Sequence, residues 1–71
     1  MRLRIRDCRE DWDLTQQQIA SFLHCDQSLY SKYERGERDV PLHVMLRLAD
    51  YYGTSLDFLA GRTDNPKPYS K

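Results

Sequence analysis

Two helix-start signals in close succession constrain the fold of this chain more than any other feature. Thr15 and Gln18 form a capping box, in which the hydroxyl accepts an orphan N–H while the amide reaches back, so a helix is predicted over Gln16–Leu23. Asp26, an efficient N-cap whose charge suits the positive end of a helix dipole, starts another helix three residues later. Helices joined so tightly must cross steeply, which requires a small residue at the crossing, and Ala20 occupies that place.

The second helix of this pair is expected to end near Arg35, because Gly36 suits the C′ position. The apolar residues of the pair fall where a helix-turn-helix motif buries its side chains; they are Ile19, Leu23, Cys25, Tyr30 and Tyr33. The buried set, the caps and the glycine terminator together favour this motif over two unrelated helices.

Helical spacing predicts three further helices, so we expect an all-α, compact five-helix bundle. Residues 2–11 place apolar side chains on one face of a first helix. Pro41 suits the first position of a fourth helix, which Gly53 ends. The apolar stripe expected on that helix comprises Leu42, Met45, Leu46, Ala49 and Tyr52.

Thr54 or Ser55 then caps a short fifth helix. The domain is expected over residues 1–62, and the polar segment 63–71, which contains two prolines, is expected to be a flexible tail. A chain of 71 residues with 39% hydrophobic residues can build one small core and no second one.

The chain carries eleven basic and eleven acidic residues, so its formal net charge is zero. That balance argues against a polybasic membrane-binding patch, and it is a mild argument against nucleic-acid binding, where a basic face is expected. No apolar run approaches the roughly 18 residues of a membrane span, and residues 1–6 alternate charged with apolar side chains, unlike a signal peptide. We therefore expect no membrane partner and a cytoplasmic location.

The sequence offers no constellation for catalysis, so the chain is predicted not to be an enzyme. It contains no nucleophile–base–acid set, glycine-rich phosphate loop or dinucleotide fingerprint, and no cofactor is expected. The cysteines and histidines, which are Cys8, His24, Cys25 and His43, lack metal-ligand spacing, so no metal site is expected. Both cysteines are expected to be small buried hydrophobes with free thiols.

The helix after Asp26 has a polar outer face. If Tyr30 and Tyr33 point inward, the 100° advance per residue turns four side chains outward, with Gln27 on the flank; these four are Ser28, Ser31, Lys32 and Arg35. Such a face fits a DNA major groove about 12 Å wide, where glutamine pairs with adenine and lysine with guanine or a phosphate. Any solvated helix can carry a similar face, so this pattern alone leaves both readings open.

The chain resembles the Cro/phage-repressor helix-turn-helix family, also called the xenobiotic-response-element family of bacterial regulators. The resemblance rests on residues 14–20 and 27–36, the latter with the run Ser-Lys-Tyr-Glu-Arg-Gly, and continues through residues 41–52 and 55–59. It covers residues 3–62 and implies a lambda-repressor-like, five-helix DNA-binding domain whose third helix enters the major groove.

The resemblance and the helix geometry divide the candidate contacts into two groups. Base contacts are predicted for Gln27, Ser28, Ser31 and Lys32, and phosphate contacts for Gln16, Gln17, Arg35 and Arg38. Gln16 resembles the phosphate-contacting glutamine of the family, at a helix N-terminus that attracts anions. A surface pair with Glu37 or Asp39 is an equal alternative for Arg38.

The resemblance also implies an ion pair between Arg9 and Glu34 that ties the first helix to the end of the third. The sequence departs from the family at three positions. His24 stands where a glycine with positive φ is usual, Cys8 replaces a larger aliphatic residue, and Trp12 is unexpected; we expect Trp12 to be partly buried.

These features predict a sequence-specific DNA-binding transcriptional regulator, acting as a repressor. Two copies are expected to bind a palindromic operator as a homodimer through helices four and five, with Leu48, Tyr51 and Phe58 at the contact. The alternative function is a protein-interaction module, such as an antitoxin or anti-repressor, built on the same fold.

Overall fold

The computed structural model describes residues 3–65 and residue 67, and within them the chain forms helices and no strands. The five helices are α1 (Ile5–Asp11), α2 (Gln16–Leu23), α3 (Gln27–Arg35), α4 (Leu42–Tyr52) and α5 (Leu56–Leu59). None of the described helices is long and apolar enough to cross a bilayer. The all-α, five-helix fold class is confirmed, and α2 and α3 begin and end where the caps predicted.

The predicted N-caps form in three of the helices. The Thr15 hydroxyl accepts the backbone N–H of Gln18 at 3.1 Å, and the Gln18 side chain accepts the N–H of Thr15 at 2.8 Å. Asp26 caps α3 by accepting the N–H of Leu29 at 2.7 Å, and Ser55 rather than Thr54 caps α5. Pro41 is the residue before α4 and not its first residue, so that assignment is wrong by one position; its extended ψ of 150° places it outside the helix.

All five helices end with the pair of backbone bonds of a Schellman motif, in which N–H groups after the helix reach back to its last carbonyls. The motif needs a left-handed residue, and glycine supplies it after α3, α4 and α5. After α1 and α2 the residues are Asp13 (φ +55°) and His24 (φ +59°), which carry side chains in this region. His24 therefore adopts the conformation that the resemblance assigned to glycine.

Replacing His24 with glycine is expected to raise the free energy of unfolding by about 1 kcal/mol, because glycine has no Cβ to strain the left-handed turn. The matched control is His43→Gly, since His43 is exposed within α4 and glycine there is expected to lower stability by about 0.5 kcal/mol. Urea denaturation of both variants measures the two effects. If His24→Gly lowered the free energy of unfolding, as His43→Gly is expected to do, the αL conformation of His24 would carry no strain.

The core lies where all five helices meet. Its five most deeply buried large side chains come from five different helices: Ile5, Ile19, Tyr30, Leu48 and Leu59, each no more than 1% exposed. Ala20, the predicted small residue at the α2–α3 crossing, is also buried. Both thiols are free, with Cys8 buried as predicted and Cys25 only half-buried. The core thus fixes α3 against α2 through the inward faces of both helices.

The apolar stripe predicted on α4 is wrong in two of its members. Leu42 and Leu46 are 67% and 47% exposed. The buried residues of α4 are Val44, Met45, Leu48, Ala49 and Tyr52. Apolar residues surround much of this helix, so more than one stripe satisfies helical spacing, and packing against α5 and the core selects the one centred on Leu48. Leu48 is fully buried, so its prediction as an exposed contact beside Tyr51 and Phe58 is also wrong.

Trp12, for which the sequence predicts partial burial, is 52% exposed, so about half of the residue is covered. α1 ends at Asp11, so Trp12 lies beyond the helix and packs on the rings of Tyr51 and Tyr52, with centroid distances of 5.5 Å to both. Tyr51 also contacts Phe22 at 4.5 Å. These contacts cover only part of the indole.

The segment predicted as a flexible tail, residues 63–71, begins with two residues that α1 holds in place. Arg4 donates to the Thr63 carbonyl oxygen at 2.7 Å and pairs with Asp64 at 2.7 Å. The Arg4 guanidinium also lies 4.5 Å from the centre of the Phe58 ring. The rest of the predicted tail, apart from residues 65 and 67, lies outside the described residues, and the domain boundary at residue 62 stays a prediction.

Candidate nucleic-acid interface

The outer face of α3 is open to solvent. Tyr30 and Tyr33 are buried, which turns the opposite side of the helix outward. On that side Gln27, Ser28, Lys32 and Arg35 are exposed, and Ser31 is half-buried. Both tyrosines therefore point inward, as the prediction of the outer face of α3 requires.

A shallow depression of about 350 Å³ connects α3 to the start of α2. Its lining brings together five of the eight candidate contacts, namely Gln16, Gln27, Ser28, Ser31 and Arg35. The side chains in it carry amide, hydroxyl and guanidinium groups, which can donate hydrogen bonds to bases and to phosphates. Gln17 and Lys32 are exposed outside this lining, and Arg38 lies in the loop after α3.

A hydrogen-bonded network behind this surface joins α1, α2 and α3. Arg9 binds the Glu34 carboxylate through two nitrogens, with Nε–Oε2 at 2.7 Å and Nη2–Oε1 at 3.2 Å, and donates from Nη1 to the Leu14 carbonyl oxygen at 2.7 Å. The Gln16 amide donates to Glu34 Oε1 at 3.0 Å. Because Gln16 also lines the depression, one residue links the outer surface to the network that positions α3.

The network contains one pair of charged side chains, Arg9 and Glu34. Burial opposes ionisation of Glu34, but the hydrogen bond from Arg9 and the Gln16 amide outweigh it and hold the pKa of this carboxyl below 4.5. Burial, and then the Glu34 carboxylate, raise the pKa of Tyr30 well above its usual value, so the phenol stays neutral. The Tyr30 hydroxyl is buried without a hydrogen-bond partner among the described residues. The positive charge of Arg9 thus neutralises the negative charge of Glu34.

The cationic side chains at and just after the end of α3 differ in their hydrogen-bond and ion-pair partners. Arg35 donates from Nε to Glu37 Oε2 at 2.6 Å and from Nη1 to the Ser31 hydroxyl at 2.7 Å. Lys32 and Arg38 have no side-chain hydrogen bond or ion pair within residues 3–65 and 67. Neither alternative pair of Arg38, with Glu37 or with Asp39, forms within the described residues, and Glu37 pairs with Arg35.

A helix-turn-helix domain model matches residues 1–65 of the chain. The chain belongs to this helix-turn-helix family. Its relatives include the HTH-type transcriptional regulator YobD of Bacillus subtilis, which is 35% identical over 92% of this chain and 58% of its own length. The HTH-type transcriptional regulator ImmR of the same species is 31% identical over 90% of this chain and 50% of its own.

A relative from another species is the cryptic phage CTXphi transcriptional repressor RstR of Vibrio cholerae, 32% identical over 75% of this chain and 48% of its own length. The chain therefore spans about half the length of the curated relatives it matches. No solved structure matches it. The resemblance inferred from the sequence is confirmed at the level of the family.

In this helix-turn-helix domain α2 and α3 are the two helices of the motif, and His24 in its left-handed conformation is the turn between them. Sequence reasoning missed three contacts at the surface of the motif: Gln16–Glu34, Arg35–Ser31 and Arg35–Glu37. The spacing of four residues between Ser31 and Arg35 was a usable signal for one of them. Nothing in the sequence pointed to the other two.

Metal binding has no structural support in the part of the chain that the structure describes. No group of three or more histidine, cysteine, aspartate or glutamate side chains there is placed to hold an ion.

Proposed function

We propose that this helix-turn-helix domain is a sequence-specific DNA-binding transcriptional regulator that acts as a repressor and reads the major groove with α3. One observation carries the proposal: the buried Tyr30 and Tyr33 fix α3 so that its polar side faces solvent, unobstructed, next to the N-terminus of α2. A helix presented in this way fits the major groove, where base edges offer donors and acceptors. The relatives YobD and ImmR, named as transcriptional regulators, and RstR, named as a transcriptional repressor, support the same function.

The proposed base contacts come from the first two turns of α3. Gln27, at the start of the helix, has a free amide that can bind adenine through two hydrogen bonds, and Lys32 can reach guanine or a phosphate. Ser28 and Ser31 discriminate less, because a hydroxyl both donates and accepts. The Ser31 hydroxyl oxygen already accepts a bond from Arg35, which leaves its own O–H available as a donor.

The proposed phosphate contacts surround this reading face. Gln17 and Arg38 are exposed and unengaged within residues 3–65 and 67, whereas Gln16 and Arg35 each have an intramolecular partner. Gln16 uses one amide N–H for Glu34 and retains a second N–H and its oxygen. Its place at the α2 N-terminus adds the free backbone N–H groups of the first turn to the attraction for a phosphate.

We propose further that two copies bind a palindromic operator as a homodimer through α4 and α5. Half-buried Tyr51 and Phe58 remain available for this contact. Exposed Leu42 and Leu46 are further apolar surface on a different side of α4, because the 100° advance per residue places Leu46 about 140° from Tyr51. One domain covers a single half-site, and two copies spaced by about 34 Å, one helical turn of DNA, would double the contacts.

Selection of bound duplexes from a random pool tests the function. We expect an enriched, inverted-repeat sequence, bound with an affinity that falls as salt rises, by a log–log slope of about 0.9 for each phosphate contact. Enrichment of a single half-site would support the readout and overturn the homodimer. Failure to enrich any sequence at low salt would overturn the proposed function.

The alternative function, a protein-interaction module, is favoured by one observation. Trp12 is 52% exposed and stacks on Tyr51, beside Phe22 and the Arg47 guanidinium that lies 4.9 Å from the Phe22 ring centre. Exposed aromatic side chains and arginine on one surface are typical of protein contacts. Replacing Trp12 with alanine tests this aromatic surface. If the variant keeps its fold but no longer selects a duplex, DNA binding depends on the surface around Trp12.

A further inference from the structure

The Arg35 side chain is exposed and yet hydrogen-bonded to two other side chains of the chain. About half of its surface, and of that of Glu37, is open to solvent, at 53% and 54%. Nevertheless its guanidinium donates to the Glu37 carboxylate at 2.6 Å and to the Ser31 hydroxyl at 2.7 Å. Arg35 lines the depression along α3, and it also lines a second depression of about 830 Å³ that contains Arg38. The ion pair therefore sits where the candidate reading face meets the following loop.

The backbone holds Glu37 in position for this pair. Its N–H donates to the Lys32 carbonyl oxygen at 2.9 Å as the outer bond of the Schellman motif that ends α3, and Gly36 makes the left-handed turn before it. The Glu37 carboxylate therefore lies beside the last turn of α3, where it contacts Arg35. A carboxylate and a phosphate bind a guanidinium with the same planar, charge-assisted geometry.

We propose that Glu37 stands in for a DNA phosphate on Arg35 in the free protein, so that DNA must displace it, and that it thereby lowers affinity for all duplexes alike. This inference rests on the proposed DNA-binding function and deepens it. The effect is independent of sequence because phosphate contacts carry no base information.

Two properties make the pair suited to this role. An ion pair between exposed side chains is weak, so a phosphate can replace it. The Arg35 hydrogen bond and charge, followed by the charge of Lys32, lower the pKa of Glu37, so the competing carboxylate is ionised at neutral pH. In a chain with zero formal charge, one such anion changes the balance at the interface appreciably.

The test is Glu37→Gln, which keeps the shape of the side chain and removes its charge. Fluorescence anisotropy with the selected duplex and with a random duplex is expected to show tighter binding to both, by about two- to fivefold. The log–log salt slope is expected to stay about the same, because Arg35 binds a phosphate in both complexes and only the free protein differs. Glu10→Gln is the matched control: Glu10 pairs with Arg6 on α1 at 3.3 Å with similar exposure, and its loss is expected to leave binding unchanged.

A double-mutant cycle with Arg35→Ala shows whether Glu37→Gln changes DNA affinity through Arg35. We expect Glu37→Gln to have little effect in the Arg35→Ala background, because no guanidinium is left to release. An equal gain in both backgrounds would overturn the inference, since Glu37 would then repel DNA directly. Unchanged affinity, or weaker binding of the selected duplex alone, would also overturn it while the proposed function stands. If neither the wild-type protein nor Glu37→Gln binds any duplex at low salt, the proposed function itself fails.

Discussion

Replacing Gln27 with alanine is expected to weaken binding to the selected duplex by about 1–3 kcal/mol, or about fivefold to a hundredfold. Gln27 is exposed at the start of α3, lines the depression there, and has no side-chain partner within the described residues. A bidentate contact with adenine would leave two base atoms unpaired when the amide is removed. The loss is expected to be confined to one base position, which a second round of random-pool selection with the variant would reveal as relaxed preference there.

Gln17→Ala is the matched control for this experiment. It removes the same amide from an exposed position on α2, where only a phosphate contact is proposed, so it is expected to weaken all duplexes alike. Gln16→Ala is less suitable, because it also breaks the bond to Glu34. Both variants should unfold at the same temperature as the wild-type protein. Identical effects of Gln27→Ala and Gln17→Ala on selected and random duplexes would contradict the separation of reading from anchoring residues.

The positions of the helix boundaries could be predicted because they depend on local chemistry. The Thr15–Gln18 capping box, the Asp26 cap and the glycines after α3 and α4 each satisfy backbone groups within a few residues, so the sequence contains the whole interaction. The outward direction of α3 was predictable for a similar reason: two tyrosines three positions apart define a single inward side. Positions that depend on neighbouring residues are therefore predicted correctly, except that Pro41 precedes α4 by one residue.

Features decided by tertiary packing could not be predicted in the same way. Leu46 and Leu48 are both apolar residues of α4 with acceptable helical spacing, and only the place of α5 and the core decides that Leu48 is the buried one. Trp12 could have covered the core, but α1 ends one residue before it. The partner of Arg35 likewise depends on the turn at Gly36, after which Glu37 comes within 2.6 Å of Arg35.

Replacing Arg9 with methionine is expected to lower the free energy of unfolding by about 3 kcal/mol, the largest effect on stability that we predict. The side chains of Arg9 and Glu34 are only 12% and 3% exposed, and Arg9 makes three hydrogen bonds that join α1 to α3 and to the Leu14 carbonyl oxygen. Methionine retains most of the apolar packing, so the loss arises from a carboxylate left buried without its cation. Chemical denaturation measures it.

The matched control is Arg6→Met on the same helix. Arg6 is 62% exposed in a 3.3 Å pair with Glu10, so its loss is expected to change stability by less than about 0.5 kcal/mol. Adding Glu34→Gln to Arg9→Met should recover part of the loss, because a buried amide needs no counter-charge.

The pH dependence separates the charge of this pair from its packing. In the wild-type protein Arg9 holds the pKa of Glu34 below 4.5, so the stability it contributes is complete above pH 4.5 and is lost as the pH falls through the pKa of the folded state. Without Arg9, burial is opposed less strongly, so the pKa of Glu34 is higher than in the wild-type protein and the variant loses less stability as the pH falls. The difference in stability between wild type and Arg9→Met should therefore shrink towards and below pH 4.5. A difference that stays constant from pH 7 to pH 4 would mean that Arg9 orients α3 through its packing and its bond to Leu14 rather than through its charge.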